Sequence, residues 1–366
     1  MIDRLMQKME QSDLEGVCGL IGEELIGKDR AWAIHLSLFP LVQRVLNPPF
    51  INPHLPKMYR IIREFVPYLQ EEEIPPLVRL EISEYTRRPK AAALARPSRQ
   101  YPAVSFSRIE IAIREGETEK VAAFMQAFLE QEGETELARR LLLLGSGYLD
   151  SSLGHSVSCT AFILLEMLER RDQAPWPALS TMADYFCRGH FQSTPELRGT
   201  DLLSDEDHGQ QLLRATSGFG IVNLHHTITR YAIERVRHLL SEAEYAHMIG
   251  CWVEFLGDKS PEAPPATAGA KAAVDYDRFY RSLAQREELS ALSCLTGLIA
   301  TPEGRQQLGR YLLKGVCDQY QGNYNPHILT GLGSALWVVN RFHNRPLIAT
   351  NALRQYLNYF FTEIAP

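Results

Sequence analysis

The chain is sparing with the residues that announce common functions. Its six cysteines, Cys18, Cys159, Cys187, Cys251, Cys294 and Cys317, are scattered over 366 residues with no CxxC and no Cys/His finger spacing, which excludes a zinc ribbon, a thioredoxin-type redox motif and a disulfide framework. Most lie in apolar surroundings such as SCTAF and GCWVEF, where free cysteine acts as a small hydrophobe, and the expectation is reduced thiols in a cytoplasmic protein. No block of five or more Lys/Arg occurs and the net charge is -6. A nucleic-acid partner is not expected, because phosphate contacts need clustered cations. No stretch approaches eighteen consecutive apolar residues, so no membrane partner is expected either. The opening MIDRLMQKMEQSD is amphipathic and lacks the apolar region of a secretory signal.

Several catalytic motifs are missing as well. There is no His-Glu-x-x-His of the zincins and no Gly-x-Ser-x-Gly elbow. GSGYLDSSLGH is glycine-rich but follows no predicted strand, so it is not a phosphate loop. Period-two strand patterning is nearly absent. The exception, AVSFSRIEIAI, runs straight into a charged helical segment.

What remains is helix. EKVAAFMQAFLEQE, ELARRLLLLGSGYL, TAFILLEMLERR, ITRYAIERVRHLL and ALRQYLNYFFTEI place apolar residues at i, i+3, i+4 and i+7. Hydrophobic residues at 45% and charged residues at 22% suit a globular core. The expected class is an all-α, multi-helix globular array. No repeat of fixed period supports a regular solenoid. Proline and glycine divide the chain into an N-terminal helical region over residues 1–104 and a central helical block over 105–257. A C-terminal block follows over 276–366. GDKSPEAPPATAGAKAAVD, with residues 258–275 at its heart, is rich in Pro and Ala and reads as an exposed linker.

Three distant stretches share one phrase: a His, a hydroxyl residue three places on and a small residue six places on. They are His155–Ser158–Ala161, His226–Thr229–Ala232 and His327–Thr330–Gly333. Helix-start signals precede each. Asn325 and Pro326 come before His327, Asn223 before His225 and His226, and Ser152 before His155. All three histidines are therefore expected in first helical turns, where the helix dipole and burial both oppose protonation. A neutral imidazole can take a proton or bind a metal. The hydroxyls Ser158, Thr229 and Thr330 share a helix face with their histidines, and the small residues let neighbouring helices approach. Tyr324 and Trp337, near the third copy, are candidates for lining a pocket for a flat small-molecule substrate.

Two further patterns carry weaker chemistry. Glu244 and His247 have the Glu-x-x-His spacing of di-iron bundles, but no second copy exists. Asp205, Glu206, Asp207 and His208 form a charge run that reads as a solvated turn or a surface cation site.

Taken together, LGHSVSCTAFILLEMLERR, PWPALSTMADYFCRGHF, NLHHTITRYAIERV and NPHILTGLGSALWVV resemble the questin oxidase-like family. The resemblance implies an oxidoreductase that opens a ring of an aromatic quinone by oxygen insertion, with NADPH and O₂ as co-substrates. This chain has Ser158 or Cys159 where the family carries a second His.

Three functional readings follow. His155, His226 and His327 are catalytic bases that deprotonate a phenol or enol before it reacts with oxygen. Alternatively, the same three are ligands of Zn, Fe or Cu, with Glu166 or Glu234 as an unlikely-spaced carboxylate partner. The third reading is a non-catalytic helical binding or scaffold protein whose histidines only cap and pack helices.

Overall fold

The structure is a computed structural model that describes residues 2–24, 27–97, 101–170, 174–198, 203–261 and 275–364. The expected all-α class holds. Among the described residues there are nineteen α-helices, three short 3-10 turns and no strand, only two isolated bridges. AVSFSRIEIAI belongs to the helix Phe106–Arg114, which buries Phe106, Ile109, Ala112 and Ile113 at helical spacing. Most of the expected linker, residues 262–274, lies outside the described residues.

One helix organises the core. His155–Glu169 buries every residue from His155 to Met167, and a helix apolar all round must be enclosed by others. It packs against His54–Arg63, Glu134–Ser146, Trp176–Gly189 and Gly220–Arg235. The helix His327–Arg341 closes the group against His54–Arg63 and Gly220–Arg235. Helices from all three sequence blocks thus meet in one apolar core, which runs from Leu5 to Phe360. Packing between segments so far apart in sequence is unlike a solenoid, where each repeat touches only its neighbours.

Charged groups register these helices at one end. Arg63 donates to Glu166 at 2.7 Å and Arg60 to Glu169 at 2.7 Å. Arg235 donates to Glu64 at 2.8 Å, and the Tyr231 hydroxyl also donates to Glu64. Glu166 is fully buried, so Arg63 at 2.7 Å, with Arg60 and Arg170 at 3.8 and 3.9 Å, supplies the compensation that a buried charge requires. These contacts join the C-terminal halves of His54–Arg63, His155–Glu169 and Gly220–Arg235, so the three run side by side in one direction. Their opposite ends carry the histidines.

Candidate metal centre

Three helices begin on a histidine: His54, His155 and His327 are the first residues of theirs. A fourth, His225, enters from the middle of its helix, because that helix starts at Gly220 and not at Asn223 as expected. The Asn223 amide donates to the carbonyl of Phe219, so it serves the turn before the helix. The other start signals work nearly as read. Asn325 Oδ1 accepts from the His327 backbone N–H at 3.1 Å, and Ser152 Oγ accepts from the Ser156 N–H at 3.0 Å.

The four imidazoles converge edge to face. Ring centroids are 4.6 Å apart for His54 and His155, 4.4 Å for His155 and His225, and 4.6 Å for His225 and His327. His155 Nε2 is the hub, lying 2.8 Å from His54 Nε2, 3.0 Å from His225 Nε2 and 3.3 Å from His327 Nε2. His54, His155 and His327 each offer a nitrogen within 4.8 Å of the others'.

The far side of each ring determines what these nitrogens can do. His155 Nδ1 lies 2.8 Å from the Ser152 carbonyl, His225 Nδ1 is 2.7 Å from that of Ile221, and His327 Nδ1 is 2.7 Å from Asn325 Oδ1. Those oxygens can only accept, so each Nδ1 carries the proton and each Nε2 presents a lone pair to the centre. His54 differs. Its Nδ1 meets the Asn47 amide nitrogen at 3.3 Å while Arg88 donates to the Asn47 oxygen, so His54 Nε2–H points at His155.

Protonation is opposed throughout. Burial holds His54, His155 and His327 well below the ordinary histidine range, and it pulls His225 down to about 3. The mutual repulsion of the rings and of Lys57 adds to this. Lys57 stands three residues after His54 on the same helix, fully buried, with no hydrogen-bond partner for its Nζ among the described residues. Burial lowers its own affinity for a proton. The charged side chains that weigh most on the four rings are Lys57 and Arg88, with no carboxylate among them. Glu166 and Glu234 are spent on arginines at the far ends of their helices.

The donor set fits a transition metal. Two imidazole nitrogens about 2.0–2.1 Å from one ion, at angles between square and tetrahedral, lie about 2.9–3.4 Å apart. Lone pairs facing each other at 3.0 and 3.3 Å repel unless a cation lies between them. Three neutral nitrogens suit Zn, Cu, Fe or Ni.

Of the expected site residues, the structure brings His155 and His327 together and leaves His226 outside. The His226 ring packs on Phe255 with centroids 4.7 Å apart, its Nδ1 without a partner, and burial draws it down to about 4. Successive helical residues point about 100° apart, so when His225 faces the centre His226 cannot. Ser158, Thr229 and Thr330 are fully buried, and their hydroxyls have no hydrogen-bond partner among the described residues. Thr229 packs tightly on Gly154, immediately before His155. Tyr324 donates its hydroxyl to the Val316 carbonyl, so that group is occupied. Trp337 stacks on Tyr231, ten residues beyond His327. Among the described residues the ring neighbours of Tyr324 are Tyr320 and Phe360, and those of Trp337 are Tyr231 and Phe342, with none of the four histidines among them. Glu244 caps its own helix in a box with Ser241, and Asp205 begins a helix capped by Ser204.

His54 and His225 were the residues missed. His54 had a signal: Asn52–Pro53–His54–Leu55 repeats the Asn325–Pro326–His327–Ile328 entry almost letter for letter.

Beside the cluster lies a cavity of about 340 Å³. Phe50, Trp176, Leu41 and Leu46 give it apolar walls, and Asn47 and Pro53 separate it from His54. Two of its polar groups are buried and have no partner among the described residues, the Tyr185 hydroxyl and the Gln43 side-chain amide. No family model matches the chain, and no curated protein or solved structure matches it either.

Proposed function

We propose that this protein is a metal-dependent oxidoreductase that binds a transition metal through His155, His225 and His327, with His54 packed against them as a hydrogen-bond donor. The observation that carries the reading is the convergence of three preset Nε2 lone pairs at a buried point, with no carboxylate among the described side chains that weigh most on the rings. Such a centre has an excess of positive charge, and the helix N-termini around it add to that. It therefore favours an anionic oxygen as its remaining ligand, such as the oxygen of an ionised phenol or enol. The neighbouring cavity supports the same substrate class, since its walls suit a flat apolar molecule and Tyr185 and Gln43 offer hydrogen bonds to its oxygens. Lys57, buried one turn after His54 with its proton affinity lowered by burial, is the nearby amine that could take up a proton from a metal-bound hydroxyl. Bound iron or copper would supply the one-electron and oxygen chemistry. A hydroxylated aromatic or quinone substrate with O₂ as oxidant also accords with the resemblance to questin oxidase-like proteins.

One observation favours a metal-free reading. His54 Nε2–H can donate to His155, which satisfies that pair without an ion and leaves His155 as part of a general-base relay. Elemental analysis of untagged protein separates the two. The metal reading expects near-stoichiometric iron, copper or zinc that is lost in His155→Ala, His225→Ala and His327→Ala and kept in His226→Ala. Protein free of metal that still consumes O₂ with a hydroxynaphthoquinone would overturn it.

A further inference from the structure

A second hollow lies at the other end of the same helices. Its volume is about 260 Å³, and Arg230, Arg237, Arg341 and Arg345 line it with Trp337 and Phe342. Trp337 is ten residues along its helix from His327, which at about 1.5 Å per residue sets it about 15 Å from the histidines. We propose that this hollow binds a phosphate monoester carried on a planar ring, as in an aryl or nucleoside monophosphate.

The charge argues for a dianion. Four arginines line the hollow, against Glu234 and Asp205 as its carboxylates, while burial and Arg230 hold His208 below its usual protonation range. The excess is two positive charges. A cation near a helix C-terminus is ordinary, since it complements the dipole; four around one hollow exceed that need. Arg230 is 3% exposed, and although it donates to Glu234 and Tyr245 its Nε has no partner. Among the described residues Arg237 and Arg341 make ring contacts with Tyr245 and Phe342 but no ion pair. Arg345 reaches Glu206 at 3.6 Å, an exposed pair that a phosphate can displace. His208 Nε2 is likewise buried and unpartnered. Planar guanidinium forks match phosphate oxygens in pairs.

The rings argue for what carries the phosphate. Arg230 already lies 5.5 Å from the Trp337 ring centroid, and Phe342 stands edge-on to the same indole. A planar ligand seated on Trp337 would extend this stack while its phosphate meets the arginines.

Calorimetric titration of the full-length protein with phenyl phosphate, inorganic phosphate and benzoate tests the assignment. Phenyl phosphate should bind most tightly and weaken as salt rises. Arg237→Gln and Arg341→Gln should each cost about tenfold in affinity, the range of a charge-assisted hydrogen bond. Trp337→Leu should weaken phenyl phosphate and leave inorganic phosphate unchanged. Circular dichroism melts and metal content of the variants check that the fold and the histidine centre are intact. Saturable binding of none of the three, benzoate binding more tightly than phenyl phosphate, or indifference of phenyl phosphate to Trp337→Leu would each overturn it.

Discussion

A hydroxyl that is buried without a partner and also lines a cavity is the residue-scale sign of a binding surface, because folding alone gains nothing from it. Tyr185 is 1% exposed, its oxygen has no partner, and it lines the cavity beside His54. Leaving such an oxygen unsatisfied costs about 1–3 kcal/mol. Tyr185→Phe should therefore keep or raise the melting temperature while weakening substrate binding. A drop in stability instead would mean that the hydroxyl has a structural partner. The contrast between His225 and His226 belongs at this scale too. The two are adjacent and almost equally buried, yet only one has its Nδ1 proton held by a carbonyl, at Ile221, and its Nε2 turned to the centre.

At the scale of an element, the entry to each helix positions its ring. Gly154 precedes His155 with φ of 75°, and a Cβ there would lie 2.0 Å from Thr229 Oγ1. Gly154→Ala should thus both strain the backbone and push apart the helices carrying His155 and His225, at a cost above about 1 kcal/mol. The expected outcome is a lower melting temperature with reduced metal content. Adding Thr229→Ala should restore part of both, because the clash is removed and the left-handed φ is not. Full recovery in the double variant would show that the backbone at Gly154 is unstrained. Similar logic applies at the far end, where the arginines on Glu166 keep the first turns in register.

Across the whole molecule, burying this many neutral imidazoles ties folding to pH. In the unfolded chain each titrates near 6.5, whereas in the fold His225 is held at about 3 and His226 at about 4, with burial the chief cause. A depressed folded value means that the unfolded chain takes up protons first. Stability is therefore complete above pH 6.5 and declines as the pH falls from there towards 3, by about 1.4 kcal/mol per pH unit for each such ring. Urea midpoints measured from pH 8 to 4 should be flat at the top and fall below 6.5. His226→Ala should flatten the decline, and added metal should move it to lower pH. A profile level down to pH 4 is incompatible with neutral buried histidines.

Helical periodicity and the missing strand patterns sufficed for the all-α class, since an amphipathic stripe is a local property written at i, i+3 and i+4. Asn–Pro–His and Ser–x–x–His entries likewise made His155 and His327 legible as first-turn rings, and Asn52–Pro53–His54 had the same signature. The choice of His225 over His226 was not local. It follows from where the helix begins and which face it turns towards His155–Glu169, both decided by packing against helices more than fifty residues away. The meeting of the four nitrogens, the orphaned hydroxyls and the arginine-lined hollow belong to tertiary structure alone, because each depends on contacts between segments that the chain keeps far apart.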